Sequence, residues 1–139
     1  MPKKRVLIVE DEAGSRDLIQ DLLKTSGYEP AEASDGPEGL ATAERLRPDL
    51  ILLDIRLPGL DGFAVCQGLK TNPETTHIPV VVVTAVADDD LNRHAYQAGA
   101  VACVMKPFRY EALLAVMEAA LANAARQAKR RANAGGNGN

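Results

Sequence analysis

Val6-Leu7-Ile8-Val9-Glu10-Asp11-Glu12 is an aliphatic run that stops on three acids. Three further runs share the form: Leu50-Ile51-Leu52-Leu53 before Asp54, Val80-Val81-Val82-Val83 before Thr84, and Val101-Ala102-Cys103-Val104-Met105 before Lys106 and Pro107. None alternates apolar with polar residues at period two, so each reads as a strand buried on both faces. If the strands are parallel, their C-terminal ends lie along one sheet edge, where open α/β folds hold ligands. Carboxylates, a hydroxyl and an ammonium group then converge on one rim.

Segments of helical period separate the runs. Ala13 to Thr25 sets Leu18, Ile19, Leu22 and Leu23 on one stripe, with Gly27 as a stop. Asp35 is an N-cap candidate for a second helix that carries Leu40, Ala43 and Leu46 and ends at Pro48. A third spans Phe63 to Lys70. A fourth begins near Asp88-Asp89-Asp90, where acids suit the positive end of the helix dipole, and stops at Gly99. A fifth runs from about Arg109 through Leu121, offering Leu113, Leu114, Val116, Met117 and Leu121 for burial. A weaker strand, Tyr28 to Ala33, contains Pro30 and is therefore expected at an edge. Five strand-helix alternations imply right-handed crossovers and a doubly wound parallel sheet, an α/β (βα)5 fold. Periodicity leaves the strand order open.

At 139 residues and 46% hydrophobic content, the chain suits one domain, placed at residues 1–122. That body holds all 19 acids against 12 bases, a net charge of −7, whereas residues 123–139 carry Arg126, Lys129, Arg130 and Arg131 with no acid, +4, which restores the chain's −3. Ala124 to Ala134 suits a fraying helix extension, and Gly135-Gly136-Asn137-Gly138-Asn139 a disordered end. Cys66 and Cys103 lie in apolar stretches without metal-type spacing and read as reduced core thiols. The basic start, Met1 to Arg5, precedes too short an apolar run for a signal peptide or membrane span, so a cytoplasmic location with no membrane partner is expected.

Glu10 and Asp11 have no adjacent Arg or Lys in sequence, and gathered with Asp54 at one edge the carboxylates repel unless a cation intervenes. Oxygen ligands without His or Cys favour a hard ion such as Mg²⁺. Asp54, before the turn-rich Ile55-Arg56-Leu57-Pro58-Gly59-Leu60-Asp61-Gly62, suits a nucleophile toward a phosphoryl donor. Thr84 suits a hydrogen bond to a phosphoryl oxygen, and Lys106 a point charge beside another. Each has an ordinary alternative alone: acids decorating a helix start, an Asp or Thr in a turn, a solvated Lys. Four together at strand ends favour chemistry.

Val6 to Glu12, Leu50 to Gly62, Ile78 to Ala85 and Ala98 to Phe108 together resemble the receiver domain of two-component response regulators, over about Lys4 to Ala122. The resemblance implies the flavodoxin-like sheet order 2-1-3-4-5 and a cis Lys106-Pro107 bond. It implies that Asp54 is the phosphoacceptor and that Glu10, Asp11, Asp54 and the Arg56 backbone carbonyl bind Mg²⁺. Thr84 and Lys106 then contact the phosphoryl group. The implied donor is a sensor histidine kinase or phosphotransfer protein, and the implied output is a downstream protein target at the face of the fourth helix, fifth strand and fifth helix. A phosphorylation-dependent homodimer is compatible with the Ala-rich fifth helix. Such a protein is a switch that phosphorylates itself from a donor in a Mg²⁺-dependent way, and not a turnover enzyme.

Two features depart from the family pattern or vary within it. Cys103 stands three residues before the Lys, where many receivers have Tyr or Phe, so an aromatic switch is replaced by movement of backbone and fourth helix, or by Tyr96. Arg56 and Val86 lie where water attacks the phosphoryl group and are expected to tune its lifetime. A rival class, the haloacid-dehalogenase-type phosphatases, needs an acid/base Asp two residues after the nucleophile, where this chain has Arg56, and a metal-binding pair late in the chain. Four tail charges are few for nucleic acid, which is not an expected partner. The chain reads as a stand-alone receiver, the alternative being a fragment of a larger regulator whose output domain follows the tail.

Overall fold

A computed structural model describes residues 2–85 and 90–136. The elements are β1 (Arg5–Val9), α1 (Ala13–Thr25), β2 (Glu29–Ala33), α2 (Gly36–Leu46), β3 (Leu50–Leu53), α3 (Gly62–Thr71), β4 (Val80–Thr84), α4 (Leu91–Gln97), β5 (Ala102–Met105) and α5 (Tyr110–Gly136). The five strands are all parallel and ordered β2-β1-β3-β4-β5, the doubly wound order implied by the resemblance.

The absence of alternation in the central strands has a direct cause. Leu7, Val9, Ile51, Leu53, Val80 and Val82 face one apolar layer with Ala43 of α2, Val65 and Leu69 of α3, and Leu91 and Ala95 of α4. Val6, Ile8, Leu50, Leu52, Val81 and Val83 face the other, with Ile19 and Leu23 of α1 and Leu113 and Met117 of α5. Both sheet faces are thus dry, and each fully buried Leu or Ile contributes about 1.5–3 kcal/mol through removal from water.

Helix ends follow local chemistry. Asp35 caps α2, its side chain accepting from the Glu38 N–H at 2.8 Å, with Pro37 in the first turn. Gly27 and Gly99, at φ +90° and +104°, turn the chain after α1 and α4. Arg47 makes the corresponding left-handed turn after α2, just before Pro48. Pro30 lies in edge strand β2, as expected from its missing N–H.

Two expectations are corrected. The run at 101–105 is not buried on both faces: β5 begins at Ala102, lies at the other sheet edge and leaves Met105 43% exposed, because only one neighbouring strand and the ends of α4 and α5 cover it. Leu18 is 69% exposed although Ile19 and Leu23 are buried; it lies about 100° around the helix from Ile19, and the contact with the sheet is narrower than a four-residue stripe. Helix α5 runs 27 residues, about 40 Å, to Gly136, continuing past Ala122 through the stretch expected as a helix extension. Cys66 is buried, whereas Cys103 is half-buried, and both are free thiols. Val86, Asp88, Asp89 and residues 137–139 lie outside the described residues.

Candidate functional site

Backbone register brings the polar strand ends together. Val9 pairs with Leu53, the Asp54 N–H donates to the Val9 carbonyl at 3.0 Å, and the Glu10 N–H donates to Ala33 at 3.0 Å. Glu10 and Asp54 therefore leave adjacent strands side by side. Thr84 ends β4 opposite Met105 of β5, and the Lys106 N–H donates to the Thr84 carbonyl at 2.8 Å. Glu10, Asp54 and Thr84 are buried, at 3%, 8% and 0% exposure. The Lys106-Pro107 bond is cis.

The loop after Asp54 is held by contact as well as hydrogen bonding. The Gly62 N–H donates to Ile55 O at 3.0 Å, and a Cβ on Gly62 would lie 2.2 Å from Ile55 Cα and 2.7 Å from Asp54 O. Only glycine permits that approach. The backbone beyond Asp54 then turns so that the Arg56 N–H donates back to Asp54 Oδ1 at 2.9 Å.

Donors converge on the Asp54 carboxylate. Oδ1 accepts from Arg56 N and, at 3.1 Å, from Thr84 Oγ1; Oδ2 accepts from Lys106 Nζ at 3.2 Å. Lys106 Nζ also donates to Glu10 Oε1 at 2.6 Å and to Ser15 Oγ at 2.9 Å. Burial pushes Asp54 up, but its hydrogen bond with Glu10, the Arg56 N–H and the Lys106 charge outweigh this and lower its pKa. Glu10 moves the opposite way, raised by burial and by its bond with Asp54. Burial pulls Lys106 down, but both carboxylates together raise its pKa. The two neighbouring carboxylates are thus pushed in opposite directions, Asp54 down and Glu10 up.

A groove of about 630 Å³ opens over this cluster, lined by Asp11, Glu12, Gly14, Arg56 and Ala85 among others. All five expected side chains, Glu10, Asp11, Asp54, Thr84 and Lys106, lie at this one rim. Lys106, 96 residues from Glu10, supplies part of the counter-charge that these acids are expected to draw from a cation. Among the described residues, no three His, Cys, Asp or Glu side chains converge closely enough to hold an ion unaided. The donor set nevertheless fits a hard cation. It is all oxygen, and Glu10 Oε2 is buried with no hydrogen-bond partner.

Sequence reasoning missed Ser15 and Arg16. Ser15 accepts from Lys106, and Arg16 donates to the carbonyls of Glu10 at 2.8 Å and Asp11 at 3.4 Å. In sequence they are ordinary residues of an early helical turn, and no local signal marks them.

A model of the response regulator receiver domain matches residues 6–118. The chain belongs to the response regulator receiver family. It is 40% identical over 124 residues to the polar-differentiation response regulator DivK of Brucella anthropi, covering 89% of this chain and all of that one. It is 40% identical over 117 residues to the DNA-binding dual master transcriptional regulator RpaA of Synechocystis, and 43% over 103 residues to the response regulator PleD of Caulobacter vibrioides. Those matches cover 84% and 74% of this receiver but only 48% and 23% of the relatives, so the chain spans half or less of their length. A CheY-like receiver from Methanospirillum hungatei superimposes with a TM-score of 0.82 at 31% identity, over 91% of this chain and 99% of that one. The receiver is thus a phosphorylatable signalling switch of two-component systems, a family that generally binds Mg²⁺ at its phosphorylation site. Among the described residues, no helix is long and apolar enough to cross a membrane.

Proposed function

We propose that Asp54 is the phosphoacceptor, and that Glu10, Asp11, Asp54 and the Arg56 carbonyl hold Mg²⁺ while Thr84 and Lys106 bind phosphoryl oxygens. The observation that carries this is the buried Asp54 carboxylate, lowered in pKa and met on both oxygens by donors at the ends of three separate strands. In the proposed reaction an Asp54 carboxylate oxygen attacks the phosphorus of a phosphohistidine. An O–P bond forms as the P–N bond breaks, and the imidazole leaves with that electron pair and takes up a proton. Bound Mg²⁺ supplies charge neutralisation on the transferring phosphoryl oxygens. Lys106 already stands within hydrogen-bond distance of Asp54, and Thr84 is positioned to donate to the oxygen that the phosphoryl group brings.

Output is assigned to the face of α4, β5 and α5, where Tyr96, Val101, Met105 and Tyr110 leave apolar surface exposed for a protein partner. Cys103 packs half-buried beneath this face, so no aromatic ring at that position follows Thr84. The donor is a histidine kinase or phosphotransfer protein, which places the exchange in the cytoplasm with the kinase's ATP.

Intact mass spectrometry after incubation with an acyl phosphate tests the assignment. Wild type with Mg²⁺ gains one phosphoryl group, whereas wild type without metal and Asp54→Ala with metal gain none. Equal phosphorylation of Asp54→Ala would sink it.

A further inference from the structure

The acidic loop that carries Glu10 and Asp11 begins where β1 ends, so its carbonyls have no strand ladder to accept from. The Glu10 carbonyl is part-buried, where a missing donor is costly, whereas that of Asp11 lies at the surface. Arg16 supplies donors to both from the first turns of α1. One terminal nitrogen donates to Glu10 O at 2.8 Å and to Asp11 O at 3.4 Å, while Nε pairs with Glu32 Oε2 of β2 at 3.4 Å. The Arg16 side chain is only 18% exposed, so its fork is held from both sides.

We infer that Arg16 is a positioning residue for the cation site: it clamps the backbone between Glu10 and Asp11 so that their carboxylates face Asp54, and Glu32 orients the clamp. This rests on the reading that Glu10 and Asp11 hold Mg²⁺. It assigns to Arg16 and Glu32 a role outside the residues that touch metal or phosphoryl group.

Two effects of Arg16 on a cation oppose each other. Its charge repels Mg²⁺, and its hydrogen bonds preorganise the ligands. Glu32 offsets the charge at salt-bridge distance, so preorganisation dominates. The sign of the change on removal therefore identifies the mechanism: loss of repulsion tightens Mg²⁺, whereas loss of the clamp weakens it.

Titration calorimetry with Mg²⁺ on the unphosphorylated protein provides the test, alongside thermal unfolding without metal. Arg16→Ala is expected to weaken Mg²⁺ binding about tenfold, in the range found when partners that orient metal ligands are removed. Arg16→Lys, which keeps the charge and a donor, restores part of that affinity, and Glu32→Gln gives a smaller loss. If Arg16→Ala does not fold, the ranking of Arg16→Lys and Glu32→Gln against wild type decides. Wild-type affinity in these variants, or tighter binding, overturns the positioning role while leaving the metal site intact. Absence of Mg²⁺ binding by wild type overturns the metal reading itself.

Discussion

Lys106 Nζ lies 2.6 Å from Glu10 Oε1, an ion pair that spans 96 residues of chain and joins the last strand loop to the first. It also reaches Asp54, so one ammonium group is shared by two buried carboxylates. Lys106→Ala is expected to lower stability by about 1–3 kcal/mol, because two acids are left facing each other with little water. Mg²⁺ recovers part of the loss. Thermal unfolding with and without the metal checks both statements, and a midpoint unchanged by the substitution would contradict them.

Arg56 donates its backbone N–H to Asp54 and is among the residues that line the groove. A long cation there both shields a phosphoryl group and pairs with it. Arg56→Asn should therefore change the rate of phosphoryl loss severalfold without abolishing phosphorylation. The decay of the phosphorylated mass over time reads this, and kinetics matching the parent would remove the idea.

Gly62→Ala places a methyl group against Ile55 Cα and Asp54 O. Those are backbone atoms and have nowhere to go. The substitution is expected to cost about 1–3 kcal/mol and to slow phosphorylation of the molecules that remain folded. Chemical denaturation together with initial phosphorylation rates checks it; a stable, fully active variant would show that the 54–62 loop is more pliant than its contacts indicate.

Cys66 is buried in α3, and burial pushes its thiol up to about 11 from an ordinary 9.0. A raised native pKa stabilises the fold below the ordinary value and loses that contribution as pH climbs through the native one. Cys66 alone thus makes the protein less stable between pH 9 and 11, with neighbouring Lys70, lowered by burial, acting in the other direction. At about pH 8, iodoacetamide should modify half-buried Cys103 first and Cys66 only on unfolding. Peptide mapping of the alkylated protein decides the order.

Residues that α5 buries in the core, Leu113, Met117 and Ala120, all precede Ala122. Removal of 123–139 should leave the fold intact, with a midpoint shift of no more than about 2 °C. A larger loss would mean that the extension belongs to the domain, against the boundary placed at 122.

What was hard to read from sequence shares one cause. Leu18 belongs to an apolar stripe, and Met105 to an apolar run, yet both are exposed, because a helix or an edge strand is covered only as far as its neighbours reach. Ser15 and Arg16 carry no motif; their importance comes from Lys106 and from the two loop carbonyls they meet. The charge balance of Glu10 and Asp54 was likewise invisible locally, since its cation arrives from the other end of the domain.

The sequence by itself determined the alternation of five strands and five helices, the burial of the central strands on both faces, and the placing of acid, hydroxyl and ammonium side chains at strand ends. Those are consequences of hydrophobic period and of where each run stops, both local properties. Only the tertiary structure decided which partners those side chains take: that Lys106 bridges Glu10 and Asp54, that Thr84 and the Arg56 N–H share one oxygen of Asp54, and that Arg16 holds the acidic loop. Such contacts depend on strand order and register, which bring together groups that no period along the chain relates.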